Sequence, residues 1–122
     1  MMNAREQLRI LGRIGDIPYL ANKIREINMS PLCATGIDVL QINMGRRCNL
    51  SCRHCHVDAG PQRTEVMSRQ VLEKCIEILS SFPISTIDIT GGSPEMNPHL
   101  EWFIHDAARL NRRLIVRSNL TL

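Results

Sequence analysis

Three cysteines stand in one eight-residue run, Cys48-Asn49-Leu50-Ser51-Cys52-Arg53-His54-Cys55, spaced C-x3-C-x2-C. Thiolates this close in sequence can converge on one small inorganic object. A tetrahedral structural zinc takes four protein ligands. A cubane iron–sulfur cluster also has four corners, most often held by four thiolates. Three cysteines with no obvious fourth leave one corner open, and an open iron can bind something that is not protein. A zinc or non-catalytic iron–sulfur module is the alternative. His54 and His56 flank Cys55, and histidine is a common zinc ligand. The spacing disfavours zinc, because C-x3-C-x2-C-H sets a fourth ligand directly against the third, whereas zinc patterns use separated pairs.

The other cysteines read as non-ligands. Cys33 lies apart from the run and follows no ligand spacing. Cys75 falls on the apolar face of an expected helix, where a thiol behaves as a small hydrophobe. Arg46, Arg47, Arg53 and Arg63 surround the run. They are either a solvated loop or charge compensation for anionic thiolates.

The elements on either side must position this loop. Ile37 to Met44 is short, β-branched and partly alternating, and its apolar positions Ile37, Val39, Leu40 and Ile42 suit a strand buried on both faces. The metal would then sit at the C-terminal end of a strand, where α/β folds generally bind ligands. Val57 to Pro61 is a turn-rich exit. Ser68 is placed to cap a helix in which Val71, Leu72, Cys75, Ile76, Leu79 and Phe82 form an apolar stripe. Pro83 stops it.

Ile84 to Thr90 is a second β-rich run, followed at once by Gly91-Gly92-Ser93-Pro94. Paired glycines at a strand's end let the backbone approach something closely. Consecutive strands of a βαβ unit are usually neighbours, which would set this turn beside the cysteine loop. Phosphate-loop readings fail, because neither G-x-x-x-x-G-K nor G-x-G-x-x-G is present. Asn97-Pro98 reads as a cap and first helical residue, with Leu100, Phe103, Ile104, Ala107 and Ala108 as the next stripe. His99 and His105 read as helix-surface residues. Leu114 to Asn119 reads as a third strand.

Upstream, Leu8, Leu11, Ile14, Leu20, Ile24 and Ile27 recur at helical steps, interrupted by Gly12, Gly15 and Pro18. Residues 1–36 are therefore expected to form a helical packing arm, and 37–122 the core domain. The chain has 122 residues, is 43% hydrophobic and carries a net charge of +3, which fits one small globular domain. With scattered basic residues and only 3% aromatics, a nucleic-acid partner is not expected. No apolar run is long enough to span a membrane, and the N-terminus lacks a signal-peptide pattern. An odd cysteine count with reduced thiols fits the cytoplasm.

The order strand, C-x3-C-x2-C loop, helix, strand, Gly-Gly turn, helix, strand resembles the radical S-adenosylmethionine (radical SAM) superfamily. The resemblance implies an α/β fold, the N-terminal portion of a partial TIM-like (β/α)6 barrel. About three parallel strands of it would be present, with helices on the outer face. It implies that Cys48, Cys52 and Cys55 ligate a [4Fe–4S] cluster whose open iron is chelated by S-adenosylmethionine. One-electron reduction then cleaves the sulfonium to methionine and a 5′-deoxyadenosyl radical. Gly91 and Gly92 match the Gly-Gly-Glu motif that binds the amino group of the methionine moiety. Ser93 stands where that motif has Glu, and Glu95 follows two residues on. His54 stands where the family usually has an aromatic residue, and its imidazole can stack on adenine in a similar way.

A narrower likeness is to arsenosugar-biosynthesis-type radical SAM proteins with a Cys-rich C-terminal domain. It runs over roughly residues 38 to 121 and is carried by three segments: Leu40 to Gly45, Cys55 to Pro61 with Arg63, Glu65 and Met67, and Thr90 to Glu95 with Asn97-Pro98. It implies a small-molecule substrate, an arsenical among the candidates, and an electron donor such as a flavodoxin or ferredoxin. Those relatives commonly carry a cysteine at the position of Ser118. The family barrel is longer than this chain, so a fragment is the expectation, and an inactive fragment that binds no cofactor is the further alternative.

Overall fold

The structure is a computed structural model that describes residues 6, 9, 10, 12, 19–29 and 31–122. The chain divides into two compact units, Met1–Thr35 and Gly36–Leu122. In the first, helix α1 spans Leu20–Glu26, with Lys23 and Glu26 paired at 2.7 Å. None of its residues is buried, and Ile24 alone among them is half-buried. The expected helical positions Leu8, Leu11 and Ile14, like the breaks at Gly15 and Pro18, lie outside the described residues.

The second unit carries strand β1 (Val39–Asn43), helix α2 (Arg69–Ser81), strand β2 (Thr86–Thr90), helix α3 (Leu100–Ala108) and strand β3 (Arg113–Val116). The strands form one parallel sheet in the order β1-β2-β3. Ile42 lies opposite Ile89, and Ile89 opposite Val116. This is the expected α/β architecture, three parallel strands with connecting helices.

Side chains alternate across a strand, and here the two faces differ sharply. Ile42, Ile87 and Ile89, continued by Met44, are buried in one core with Leu72 and Leu79 of α2 and Leu100, Phe103 and Ala107 of α3. Leu40 and Leu114 pack against that core. Cys75 and Ile76 also pack against it from α2. The opposite face carries Gln41 and Asn43 of β1, Asp88 and Thr90 of β2, and Arg117 just past β3. A second layer of helices would have to bury these groups, so this face is built for water or a polar ligand.

The expectation that β1 is buried on both faces is therefore corrected. Ile37 precedes the strand, and Val39 is 50% exposed on the polar side. β1 is an outer strand with a single covered face. The α2 stripe is also narrower than expected, since Val71 and Phe82 are exposed at its margins. Ser68 does hold the N-cap position with extended backbone, but its side chain makes no capping bond. The second helix begins later than Asn97-Pro98 suggests, because a 3-10 turn at Pro94–Met96 comes first and His99 takes the N-cap.

Candidate functional site

The cysteine loop leaves β1 through Met44 and Gly45. Gly45 has φ +133°, and a Cβ there would collide with the Glu65 carbonyl, so glycine is required. The loop is tied off at its base. Arg46 N–H donates to the Glu65 carbonyl at 2.8 Å, Gly60 N–H to Arg46 at 3.1 Å, and Cys48 N–H to Gly60 at 3.2 Å. Entry and exit strands thus clamp each other, leaving residues between Cys48 and Gly60 as a closed projection at the carboxyl end of β1.

The Gly-Gly turn docks on that entry strand. Gly92 N–H donates to the Gly45 carbonyl and Ser93 N–H to the Arg47 carbonyl, each at 2.9 Å. A Cβ at Gly91 would lie 2.8 Å from the Gly45 oxygen, and one at Gly92 would collide with the Arg47 carbonyl. The close approach expected of these glycines is made here to the cysteine loop itself. The two turns are therefore packed directly against each other.

Three asparagines complete the frame, and sequence reading missed these roles. Asn97 is buried, and its amide donates to the carbonyls of Met44 and Met67 at 3.0 Å each. It joins the end of β1 to the segment leading into α2, while its oxygen accepts from His99 N–H at 2.8 Å. Asn119, beyond β3, donates to Asn49 at 2.9 Å, and Asn49 donates to Thr121 at 2.8 Å. The Asn119 amide also lies 3.8 Å from Cys48 Sγ. Asn49 beside Cys48, Asn97 before Pro98 and Asn119 at the end of the expected third strand were the available signals, and none is specific.

All three loop thiols are free. Cys48 is buried, Cys55 half-buried and Cys52 exposed. Ala59 N–H donates to Cys55 Sγ at 3.2 Å. Cys52 and Cys55 share a cavity of about 310 Å³ with Arg53, Gly60 and Arg63, among others. Among the described residues, no three His, Cys, Asp or Glu side chains gather to hold a single metal ion. The donor chemistry fits an iron–sulfur cluster, which takes one thiolate per iron rather than converging all of them on one atom. Cys33 is exposed, outside this unit. Cys75 sits on α2 against the core, and burial pushes its thiol pKa up.

The surrounding arginines are partly neutralised. Arg63 pairs with Glu65 at 3.1 Å and Asp58 at 3.7 Å, and Arg46 lies 4.0 Å from Glu65. His54 is exposed on the loop. His56 lines a different cavity, on the polar face of the sheet, away from the Cys52–Cys55 pocket.

Glu95 is exposed, and Ser93 Oγ donates to its carboxylate at 3.0 Å. Partial burial pushes its pKa up, but the Ser118 hydroxyl, its own backbone N–H and Ser93 outweigh that, so the carboxyl lies below its ordinary value. Ser118 thus belongs to this group at the ends of β2 and β3. On the polar face, Asp88 accepts two bonds from Arg117 and one from Gln41.

The radical SAM superfamily model matches residues 42–122. Curated relatives include the antilisterial bacteriocin subtilosin biosynthesis protein AlbA of Bacillus subtilis, 28% identical over 76 residues, covering 62% of this chain and 17% of that protein. GTP 3′,8-cyclase of Thermodesulfovibrio yellowstonii is 35% identical over 78 residues, 61% of this chain and 24% of that protein. Fe-coproporphyrin III synthase of Methanosarcina barkeri is 35% identical over 81 residues, 66% of this chain and 20% of that protein. The chain thus spans about a quarter or less of the length of these relatives. No solved structure matches. The cysteine loop, the glycine turn locked against it and the match from β1 to the end of the chain make this protein a member of the radical SAM superfamily.

Proposed function

We propose that residues 37–122 are the cofactor-binding part of a radical SAM enzyme, with Cys48, Cys52 and Cys55 holding a [4Fe–4S] cluster. The observation that carries this is the lock between the two turns: Gly92 and Ser93 donate to the carbonyls of Gly45 and Arg47 at 2.9 Å each. That lock sets the thiol loop and the glycine turn side by side at the carboxyl end of one sheet. The chemistry that cluster and S-adenosylmethionine supply when bound is one-electron cleavage of the sulfonium and hydrogen-atom abstraction from a substrate.

The chain's own residues divide the work. Ala59 N–H and the Asn119 amide hold the Cys55 and Cys48 sulfurs in place. Gly91 and Gly92 let the turn pack against the backbone of the cysteine loop, beside which the methionine moiety would lie. Glu95 offers an ionised carboxylate, fixed by the Ser93 hydroxyl, to that moiety's ammonium group. Glu95 would thus do the work of the family's glutamate, whose place Ser93 takes. His54, exposed on the loop, is free to stack on adenine. The electron comes from a flavodoxin- or ferredoxin-like donor. The substrate is a small molecule, and the segments that resemble arsenosugar-type radical SAM proteins favour an arsenical. No helix among the described residues is long and apolar enough to cross a membrane, and a cytoplasmic location fits free thiols.

Anaerobic reconstitution with iron and sulfide, followed by metal analysis and visible absorption, tests the reading. About four irons per chain, lost when all three cysteines are changed to Ala, are expected. S-adenosylmethionine should then alter the EPR signal of the reduced cluster. Zinc bound without iron or sulfide would overturn it.

A further inference from the structure

On the polar face, Asp88 and Arg117 form a fork-to-fork pair. Arg117 Nε donates to Asp88 Oδ1 and Nη2 to Oδ2, both at 2.8 Å. Gln41 Nε2 donates to Oδ2 at 2.9 Å from the neighbouring strand. The Asp88 side chain is 7% exposed, but that of Arg117 is 60% exposed. A guanidinium presents two edges able to bind an oxyanion in a bidentate manner. Asp88 occupies the Nε–Nη2 edge. The end-on edge, with one hydrogen from each of Nη1 and Nη2, has no partner among the described residues.

That arginine does not point into open solvent alone. It lines a cavity of about 320 Å³ with Gln41, Asn43, His56, Val57 and Thr90. Asn43, Thr90 and His56 bring further polar groups to the same cavity. His56 directly follows Cys55, so the cavity adjoins the thiol loop. A long cation is normally costly to immobilise; two hydrogen bonds to Asp88, itself held by Gln41, fix it here. Such an arrangement orients one arginine edge toward a ligand.

We propose that Arg117, oriented by Asp88 and Gln41, is the anchor of an oxyanion subsite that takes the carboxylate or phosphate group of the substrate. This rests on the radical SAM reading for the claim that the ligand is a substrate. The anion-binding claim stands on the cavity alone.

The test is a titration of the isotopically labelled 122-residue chain with inorganic phosphate, and separately with acetate, at constant ionic strength, followed by NMR. Saturable shifts at the Arg117 side chain, His56 and Thr90 are expected, with affinity at least tenfold weaker in R117Q. Since R117Q leaves a buried carboxylate unpaired, D88N/R117Q is measured alongside, and it too should lose the response. Non-saturating shifts with both anions, or affinity within twofold of wild type in the double variant, would overturn the proposal. A second arm separates substrate from cofactor. In the reconstituted protein, R117Q should leave the effect of S-adenosylmethionine on the reduced cluster's EPR signal intact. Loss of that effect would move the anion to the cofactor and overturn the substrate assignment. If wild type takes up no cluster, the enzyme reading fails, while the phosphate titration still decides the subsite.

Discussion

The backbone carbonyl of Arg47 fills the space that a side chain at Gly92 would need. One of these residues precedes the first cysteine, and the other ends the β2 turn. Their fit is the reason the thiol loop and the glycine turn hold one geometry.

Gly92→Ala should therefore disturb the cysteine loop from a distance. The colliding atom is backbone, which cannot swing aside as a flexible side-chain end can. Overpacking of this kind costs about 1–3 kcal/mol. Urea denaturation should show that loss, and iron uptake on reconstitution should fall with it. Gly36→Ala is the control, since a Cβ there meets nothing within 4 Å. It should stay within about 0.5 kcal/mol of wild type.

Asn97→Ala should be costly although it removes few atoms. Two carbonyls, those of Met44 and Met67, would lose the amide that bridges them. Leaving a buried acceptor unpaired costs about 1–3 kcal/mol. Asn97→Leu, which fills the volume without donating, should fare no better in chemical denaturation. Full stability in the Leu variant would show the bridge to be dispensable.

Phe103 of α3 is fully buried in the core it shares with Leu72 and Leu79 of α2 and the strand isoleucines. Phe103→Ala should cost about 3–5 kcal/mol, a large share of what a domain this small possesses. The expected readout is a melting temperature lowered by many degrees, or failure to fold.

Stability should fall in acid partly through Asp88. The bonds from Arg117, then those from Gln41, hold its carboxyl below the ordinary value of 3.8 in the folded chain. A depressed folded pKa gives stability that is present above the unfolded pKa and lost as pH falls through the folded one. The contribution is thus complete above about pH 5 and fades as pH drops to 3.8 and below. Over that interval wild type should lose melting temperature faster than D88N. Parallel curves would remove Asp88 from the account.

Cys75 should react slowly. Burial raises its thiol pKa, and the thiolate is the nucleophile. At about pH 8, alkylation of Cys75 in the folded chain should lag that of exposed Cys33 and Cys52 by roughly tenfold or more, read by mass spectrometry of the peptides.

Much of the fold was legible because local patterns and global packing agree here. Period-two and period-3.6 apolar spacing located the strands and both core helices, although the third strand, expected over Leu114 to Asn119, is Arg113–Val116, and the C-x3-C-x2-C run named the loop that matters. Sequence spacing also set the two turns at the ends of adjacent parallel strands. It could not say which face of β1 is wet: Val39 and Gln41 share a face with Asp88, and only the register between strands shows that. The roles of Asn97 and Asn119 were hidden for the same reason, since their partners lie far away in sequence. The sequence determined the thiols and the glycines, because ligand type and backbone freedom are properties of single residues. The tertiary structure alone decided that Gly92 is fitted to Arg47 and Arg117 to Asp88, because such contacts exist only once the strands are paired.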